Sequence, residues 1–422
     1  MESVTSIRAK YAKETWWAFA SKGTAFVFFY ALVYYLTKQM GVSRWGEWTA
    51  FIALLNIITL TSDLGINIAV KRHIAKTRNS AALAGVIKSS FVLRAAISFG
   101  YVLIVAALIG PALGKVGRME YAQLLYQSIP LILFYSLVEY FKTLFEAVHQ
   151  LKNGFFLNLI EHGLKFFLAI AFFQQGDSYS NLILAFTVPV LIATLCGCAV
   201  SIRTYPGVIS SPVEAKLLRE IFLQSIPAFV LSITGYLALE MDTLMLSALT
   251  NNYETGVYSA AKQIVFFLPH ISLAVSMGVI PELCMFTKSN AKEQRRLYYK
   301  ILAFIAGGYL IICLGIVGFA FFGVPVFFGE EYRESSKPLL LLTPYVFLNS
   351  ILIYTGYMMD YKGLTMKRAI NFLFTFVINI ALNLLWIPKW GAVGAAAASS
   401  IAFLPSCILN LREAHRVFEM ED

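Results

Sequence analysis

Apolar stretches of about 20 residues recur along nearly the whole chain, and this pattern limits the fold more than any other feature of the sequence. A helix of that length spans the hydrocarbon core of a bilayer, which is about 30 Å thick. The chain is 58% hydrophobic and only 14% charged, whereas soluble domains carry about 25% charged residues. We therefore predict an all-α protein that crosses a membrane many times.

The apolar stretches predict twelve transmembrane spans, and a polar, amphipathic connection near residues 203–221 separates the first six from the last six. We expect two six-helix lobes, residues 1–205 and residues 206–422. Because six is even, both lobes would begin on the same side of the membrane, as in parallel repeats. The predicted spans are 15–37, 47–70, 84–110, 122–147, 154–173, 180–202, 222–249, 256–286, 300–328, 338–360, 368–387 and 391–411.

A short similarity between two triplets of the sequence, which we call the internal echo, supports two repeats. Gly46-Glu47-Trp48 opens the second span of the first half, and Gly256-Val257-Tyr258 opens the second span of the other half. Both follow a turn that is predicted to lie outside the membrane.

Basic residues are distributed unevenly between the connecting segments. If the N-terminus is cytoplasmic, the inner segments contain about three times as many lysines and arginines as the outer ones, which is the positive-inside pattern. We therefore expect both termini in the cytoplasm. Since the net charge of +10 mostly sets this orientation, we expect no nucleic-acid partner.

Cysteines and histidines give no indication of a metal centre. The five cysteines lie in apolar segments, and the five histidines include no H-x-x-x-H or H-E-x-x-H pair. We expect neither a metal site nor a cofactor.

Ionisable residues lie inside several predicted spans. A charge at the centre of a lipid-facing helix costs about 2.5–3.5 kcal/mol, so such residues normally face a bundle interior or a water-filled cavity. Glu161 and Lys165 lie four residues apart in one helix, a spacing that suits an ion pair. The candidate cations are Lys22, Arg94, Lys142, Lys165 and Lys262, and the candidate acids are Asp63, Glu139, Glu161, Glu240 and Asp242.

Two interpretations of these charges remain open. In one, opposite charges pair and tie helices together, which fits Glu139 and Lys142 as well as the pair above. In the other, the charges line a wet passage. Lys22 and Arg94 favour this second interpretation because neither has an obvious acidic neighbour in its own helix. The first half carries one more of these cations than acids, so the sign of a cavity there depends on which acids pair or become protonated.

Four stretches of the sequence resemble a known family. Residues 242–264 (DTLMLSALTNNYETGVYSAAKQI) place an aspartate before an apolar run, a short loop and a Gly-x-Tyr-Ser-x-Ala helix start. Residues 62–76 contain an Asp-Leu-Gly element, and residues 328–347 (FGEEYRESSKPLLLLTPYVF) form a third match. Residues 379–400 combine an Asn-rich helix end, Ile-Pro-Lys and Gly-Ala-x-Gly-Ala-Ala. Together they resemble O-antigen-type polysaccharide flippases of the multidrug/oligosaccharidyl-lipid/polysaccharide exporter superfamily.

The resemblance implies twelve helices in two lobes around a central cavity, and transport by alternating access. It implies a cargo in which an oligosaccharide is joined to a lipid pyrophosphate, as in an undecaprenyl-linked O-antigen unit. The protein would then be a transporter of the cytoplasmic (inner) membrane and not an enzyme. Its expected partners are the lipid-linked oligosaccharide, membrane lipids, a proton or sodium gradient and glycan-assembly proteins such as a polymerase.

The positions of the buried charges suggest roles within this transporter. We expect the five candidate cations to form a cationic substrate site for the pyrophosphate, because lysine and arginine suit phosphate oxygens. Lys262 inherits no role from the resemblance, because the family frequently has tyrosine there. We expect the five candidate acids to couple transport to protons or sodium, or to pair with the cations.

Two alternatives remain. An ion-driven multidrug exporter of the same superfamily would be expected to have a less basic cavity, suited to organic cations. A membrane glycosyltransferase or polymerase would usually carry catalytic acids on a large external loop, whereas the outer connections predicted here are short.

Overall fold

The computed structural model describes residues 4–77, 80–115, 118–175, 178–283 and 291–421. Within these ranges the chain is helical and contains no β-strand, which confirms the predicted all-α class. The helices are α1 (Val4–Thr61), α2 (Ile66–Lys76), α3 (Ser80–Ile104), α4 (Gly110–Lys115), α5 (Met119–Gln127), α6 (Ile129–Ala147), α7 (Leu151–Gln175), α8 (Tyr179–Thr204), α9 (Gly207–Ser210), α10 (Ala215–Leu249), α11 (Asn252–Val265), α12 (Pro269–Leu283), α13 (Ala291–Gly318), α14 (Val324–Phe327), α15 (Ser336–Tyr361) and α16 (Thr365–Glu421).

Many of these helices are suited to a bilayer. In the described part of the chain, eight helical segments are long and apolar enough to cross a membrane, and the bent pair α5 and α6 raises the number to nine. The protein is therefore a multi-pass membrane protein.

Two of these helical segments are interrupted by glycines in the left-handed region. Gly41 in α1 has φ 69° and Gly391 in α16 has φ 53°, conformations that glycine adopts without a steric penalty. Each long helix is therefore two helices joined at a turn. These turns lie at the predicted junctions after the first and the eleventh spans.

The chain forms two compact units. Unit 1 comprises Met1–Tyr35 and Leu55–Ile233, and unit 2 comprises Leu36–Leu54 and Thr234–Asp422. Helix α1 thus contributes to both units, because its central segment belongs to unit 2 while its ends belong to unit 1. The lobes expected at residues 1–205 and 206–422 stay a prediction.

In unit 1, α6 packs against α2, α3, α7 and α8. Tyr140 of α6 is fully buried, and its hydroxyl donates a hydrogen bond to the backbone oxygen of Ile87 at 2.8 Å. Gly197 of α8 permits close approach, because a Cβ at that position would lie 2.7 Å from Cγ of Phe141. This packing fixes the helices that carry most of the predicted cations.

In unit 2, α15 packs against α11, α12, α13 and α16. The two arms of α16 are joined by buried polar contacts, including a hydrogen bond from Nδ2 of Asn371 to Oδ1 of Asn410 at 2.7 Å and a contact between the hydroxyls of Thr375 and Ser406. Because lipid cannot satisfy polar groups, such contacts hold membrane helices together.

Unit 2 also contains a very close helix crossing between α1 and α11. A Cβ on Gly46 would lie 1.8 Å from the backbone oxygen of Asn252, and a Cβ on Gly256 would lie 2.0 Å from that of Val42. One turn further along each helix, the hydroxyl of Thr49 donates to that of Ser259 at 2.9 Å. The contacts are reciprocal, since each glycine meets the oxygen of the residue four positions before the other. The two triplets recognised as an internal echo therefore meet face to face.

Candidate functional site

The first candidate cluster begins at a break between two helices of unit 1. Helix α1 ends at Thr61 and α2 begins at Ile66, and between them Leu64 (φ 46°) and Gly65 (φ 73°) lie in the left-handed region. For a leucine this conformation costs on the order of 1–3 kcal/mol. Asp63 lies at the centre of the break, and its Oδ1 accepts a hydrogen bond from the backbone nitrogen of Asn67 at 3.3 Å.

Arg94 of α3 holds this break. It is 1% exposed, and its guanidinium lies 2.9 Å from the carboxylate of Asp63. It also donates to the backbone oxygens of Ser62 at 3.1 Å and Ser136 at 3.2 Å. The side chain therefore ties α3, α6 and the broken helix together. The acidic partner of Arg94 is therefore not in its own helix but lies 31 positions earlier in the chain.

One lysine of α6 and one lysine of α7 share the buried carboxylate of Glu161 on α7. Lys142 lies 2.8 Å from Glu139 and 2.5 Å from Glu161, and the Glu161 side chain is 1% exposed. Lys165 lies 3.7 Å from Glu161, so the pair expected from spacing is confirmed, but it is the longer of that carboxylate's two lysine contacts. The Lys165 ammonium also lies 4.9 Å from the ring centroid of Phe186, within cation–π range.

Lys22 lies on α1, next to a residue that contacts α7. Its neighbour Ser21 accepts a hydrogen bond from Nδ2 of Asn158 on α7 at 2.5 Å, which places this part of α1 against α7. Lys22 is exposed, and its charge acts on His162 of α7, as do those of Lys142 and Lys165.

We call Lys22, Asp63, Arg94, Glu139, Lys142, Glu161 and Lys165 the unit 1 cluster. Glu139 also acts electrostatically on Arg94, so the helix break and the lysines belong to one charge network. Four cations face three carboxylates in it, and the cluster carries a net charge of +1 when all are ionised. An anion is the ligand that would neutralise it.

The second candidate cluster surrounds Asp242 on α10 in unit 2. This carboxylate is 5% exposed and accepts hydrogen bonds from Tyr258 Oη at 2.7 Å, from Asn383 Nδ2 at 2.6 Å and from the hydroxyl of Ser399. All three donors are neutral. Asn383 is fully buried, and its Oδ1 has no hydrogen-bond partner among the described residues.

Glu240, two residues before Asp242 in α10, has a different environment. Glu240 lies 2.7 Å from the ammonium of Lys262 on α11, and Lys262 also donates to the hydroxyl of Thr243 at 3.2 Å. Both charged side chains are largely buried, at 13% and 14% exposure. We call Glu240, Asp242 and Lys262 the unit 2 cluster.

A cavity of about 30 Å³ lies beside this cluster. It is large enough for a water molecule or a small ion, since about 10–15 Å³ suffices for one water. Polar groups from α10, α11, α15 and both arms of α16 line it, and they include Asp242, Tyr258, Lys262, Tyr345, Asn379 and Ser399.

The structure distributes the ten predicted site residues between the two units, seven in the unit 1 cluster and three in the unit 2 cluster. Sequence reasoning did not find Tyr258, Asn383 and Ser399 as partners of Asp242. The one available signal was the spacing of Asn379 and Asn383, which puts two amides on one face of an apolar helix.

Comparison with known families identifies the chain. Residues 11–287 match the sequence profile of a family described as "Polysaccharide biosynthesis protein", which is more than half of the chain. The chain belongs to the polysaccharide biosynthesis protein family.

Two relatives support this membership. The family member described here is 23% identical over 394 residues to a "probable low-salt glycan biosynthesis flippase" of Haloferax volcanii, covering 89% of this chain and 77% of the relative. It is 26% identical over 296 residues to a "capsular polysaccharide biosynthesis protein" of Staphylococcus aureus, covering 64% and 71% of the two chains.

Solved structures show the same fold. An inward-facing multidrug resistance transporter of the MATE family superimposes with a TM-score of 0.74 at 14% identity, covering 94% of this chain and 95% of that one. The lipid II flippase MurJ in an inward closed conformation also gives 0.74 at 14% identity, covering 94% and 87%. Both structures share the all-helical fold of this chain.

Proposed function

We propose that this protein is a flippase that moves a lipid-linked oligosaccharide across the membrane, driven by an ion gradient. The observation that carries the proposal is the unit 1 cluster, which holds four cations and three carboxylates inside a membrane protein of a polysaccharide biosynthesis family. One relative is named a glycan biosynthesis flippase, and one protein of the same fold is named a lipid II flippase. Transport of this kind needs no catalytic step, and we propose none for this chain.

The cations of the unit 1 cluster are proposed to bind the phosphate groups that join lipid and sugar. Lys165 is the best placed, because its nearest carboxylate is 3.7 Å away and is already shared with Lys142. Lys22 is exposed and can reach a ligand directly. The guanidinium of Arg94 has three protein acceptors, so it contributes charge and positions Asp63. Phosphate oxygens make strong charge-assisted hydrogen bonds with such donors.

Asp242 is the proposed residue for ion coupling, with a proton or a sodium ion as the coupling ion. Of the five candidate acids, the other four have cationic partners, whereas Asp242 has three neutral donors. A carboxylate inside a membrane without a cationic partner requires a positive charge from elsewhere. The adjoining cavity is large enough to hold an ion that carries this positive charge.

We further propose twelve spans in two lobes that work by alternating access, with both termini in the cytoplasm. The nine apolar segments become eleven when α1 and α16 are divided at Gly41 and Gly391, and the 35-residue α10 is the twelfth. The proposed location is the cytoplasmic (inner) membrane, and the proposed cargo is an undecaprenyl pyrophosphate-linked unit such as O-antigen. A polymerase and other glycan-assembly proteins would then act on the exported unit.

The test is a flipping assay in liposomes that contain the purified protein and a lipid-pyrophosphate-linked oligosaccharide. Lys165→Gln should slow flipping about tenfold, because one charge-assisted hydrogen bond to the ligand is lost. Lys152→Gln is the matched control, since Lys152 is an exposed lysine at the start of the same helix. Normal flipping by both Lys165→Gln and Lys22→Gln would rule out the anion site.

A second candidate function is export of organic cations. The MATE transporter matches the fold as well as the lipid II flippase does, with the same TM-score of 0.74. The same liposomes loaded with a cationic dye separate the two functions. Dye export in the absence of glycan flipping would replace the proposal with this one.

A further inference from the structure

The unit 2 cluster is one positive charge short. It contains the carboxylates of Glu240 and Asp242, and the ammonium of Lys262 is the cation that the structure describes within it. Among the described residues, the phenols of Tyr258 and Tyr345 also act on Asp242, and both are neutral at physiological pH. With both acids ionised, the cluster has a net charge of −1.

This imbalance matters because the cluster lies within apolar helices. An uncompensated charge in a low-dielectric site is unfavourable, so a buried site tends to take up the counter-charge that it lacks. Without Lys262, the same two carboxylates would lack two positive charges.

We propose that Lys262 is a tethered cation of the ion site, so that the site binds one monovalent cation, a proton or an alkali metal ion, rather than two. This inference rests on the proposed ion coupling at Asp242. It adds the stoichiometry of the site and the residue that sets it.

The position of Lys262 suits this role. Its side chain lines the same cavity as Asp242, and it comes from the same helix as Tyr258, which donates to Asp242. The ammonium has three donors, and its contacts with Glu240 and Thr243 use two of them. Its positive charge therefore pairs directly with Glu240, and the charge of Asp242 is balanced by the bound monovalent cation.

The experiment counts bound cations directly. The purified protein in detergent is titrated with radioactive sodium at fixed pH, and in a second arm with acid in the absence of sodium, so that the two sources of charge are separated. Uptake in each arm is expressed as the difference from Glu240→Gln/Asp242→Asn, because the chain's other carboxylates and its histidines also take up protons. On that scale, the wild type should take up one cation in one of the two arms. Lys262→Gln should take up two, and Lys262→Arg should remain at one because the charge is kept.

Two further variants keep the test decisive if Lys262→Gln fails to fold. Glu240→Gln leaves one carboxylate and one ammonium, so uptake should be lost although Asp242 is still present. The double variant Glu240→Gln/Lys262→Gln restores the net charge of −1 and should return uptake to one. Equal uptake by wild type and Glu240→Gln, or by wild type and Lys262→Gln, would overturn the proposal.

Because binding is counted without transport, the outcome is independent of the flipping assay. A protein that binds one cation, follows these charge rules and moves no glycan would contradict the proposed function alone. A protein that flips glycan but binds two cations, or none, would contradict this inference alone.

Discussion

The two charge clusters differ in sign and in the way their acids are held. The unit 1 cluster has four cations for three carboxylates, and its most buried acid, Glu161, contacts two lysines. The unit 2 cluster has one cation for two carboxylates, and its most buried acid, Asp242, is held by neutral donors. One cluster thus lacks a negative charge and the other a positive one. On this basis we propose that unit 1 binds the anionic cargo and unit 2 the coupling cation.

The largest effect is expected from a covalent lock at the helix crossing in unit 2. Helix α1 leaves unit 1 after Tyr35 and returns to it at Leu55. At the crossing, α1 of the proposed first lobe (residues 1–205) packs on α11 of the proposed second lobe (residues 206–422). In a cysteine-free background, Thr49→Cys/Ser259→Cys should form a disulfide, because the two hydroxyls are 2.9 Å apart. Flipping should stop completely and return on reduction.

Asn371→Cys/Asn410→Cys is the control for this lock, since it also joins two contacting side chains, within α16, and neither residue lines the cavity beside Asp242. That disulfide should leave flipping intact. Undiminished flipping by the locked Thr49/Ser259 variant would show that the crossing need not open, and alternating access through it would be abandoned.

The next largest effect is expected on the free energy of unfolding. It distinguishes a structural charge in the unit 1 cluster from the proposed coupling charge in the unit 2 cluster. Arg94→Ala should destabilise the protein by about 3–5 kcal/mol, because Asp63 loses its cationic partner and two hydrogen bonds to backbone oxygens are lost. Lys71→Ala removes an exposed ion pair with Glu146 and should cost at most about 1 kcal/mol.

Unfolding followed by denaturant or by thermal shift in a fixed detergent measures both variants. Asp242→Asn, assayed beside them, should retain its stability and lose ion-dependent flipping. A stability loss as large as that of Arg94→Ala would mean that Asp242 is a structural acid, and the contrast between the clusters would fail.

The smallest effect is expected at a neutral donor. Tyr258→Phe removes one of the three hydrogen bonds to Asp242, and a hydrogen bond to a charged group contributes about 1.5–3 kcal/mol. The phenol hydroxyl stabilises the ionised acid, so its loss should favour protonation and weaken binding of an alkali metal ion about tenfold. Tyr345→Phe, which lines the same cavity, should have a weaker effect. Equal effects of the two variants would argue against a specific role for Tyr258.

Local spacing predicted part of the candidate site. Glu161 and Lys165 lie one helical turn apart, so their contact follows from the helix itself. The position of Asp242 inside an apolar run likewise marked it as a functional candidate. Its partners could not be inferred in this way, because Asn383 and Ser399 lie 141 and 157 positions away in the chain. The same limit applied to Arg94, whose contacts come from the break between α1 and α2 and from α6.

The sequence by itself determined the class of protein, because a bilayer fixes the length and apolarity of any helix that crosses it. It also determined which ionisable residues lie within apolar helices. Only the tertiary structure decided which of these charges neutralise one another, because that depends on helices distant in sequence lying side by side. The balance left after pairing, positive in one cluster and negative in the other, is therefore a property of the fold, and it is this balance that indicates what each cluster can bind.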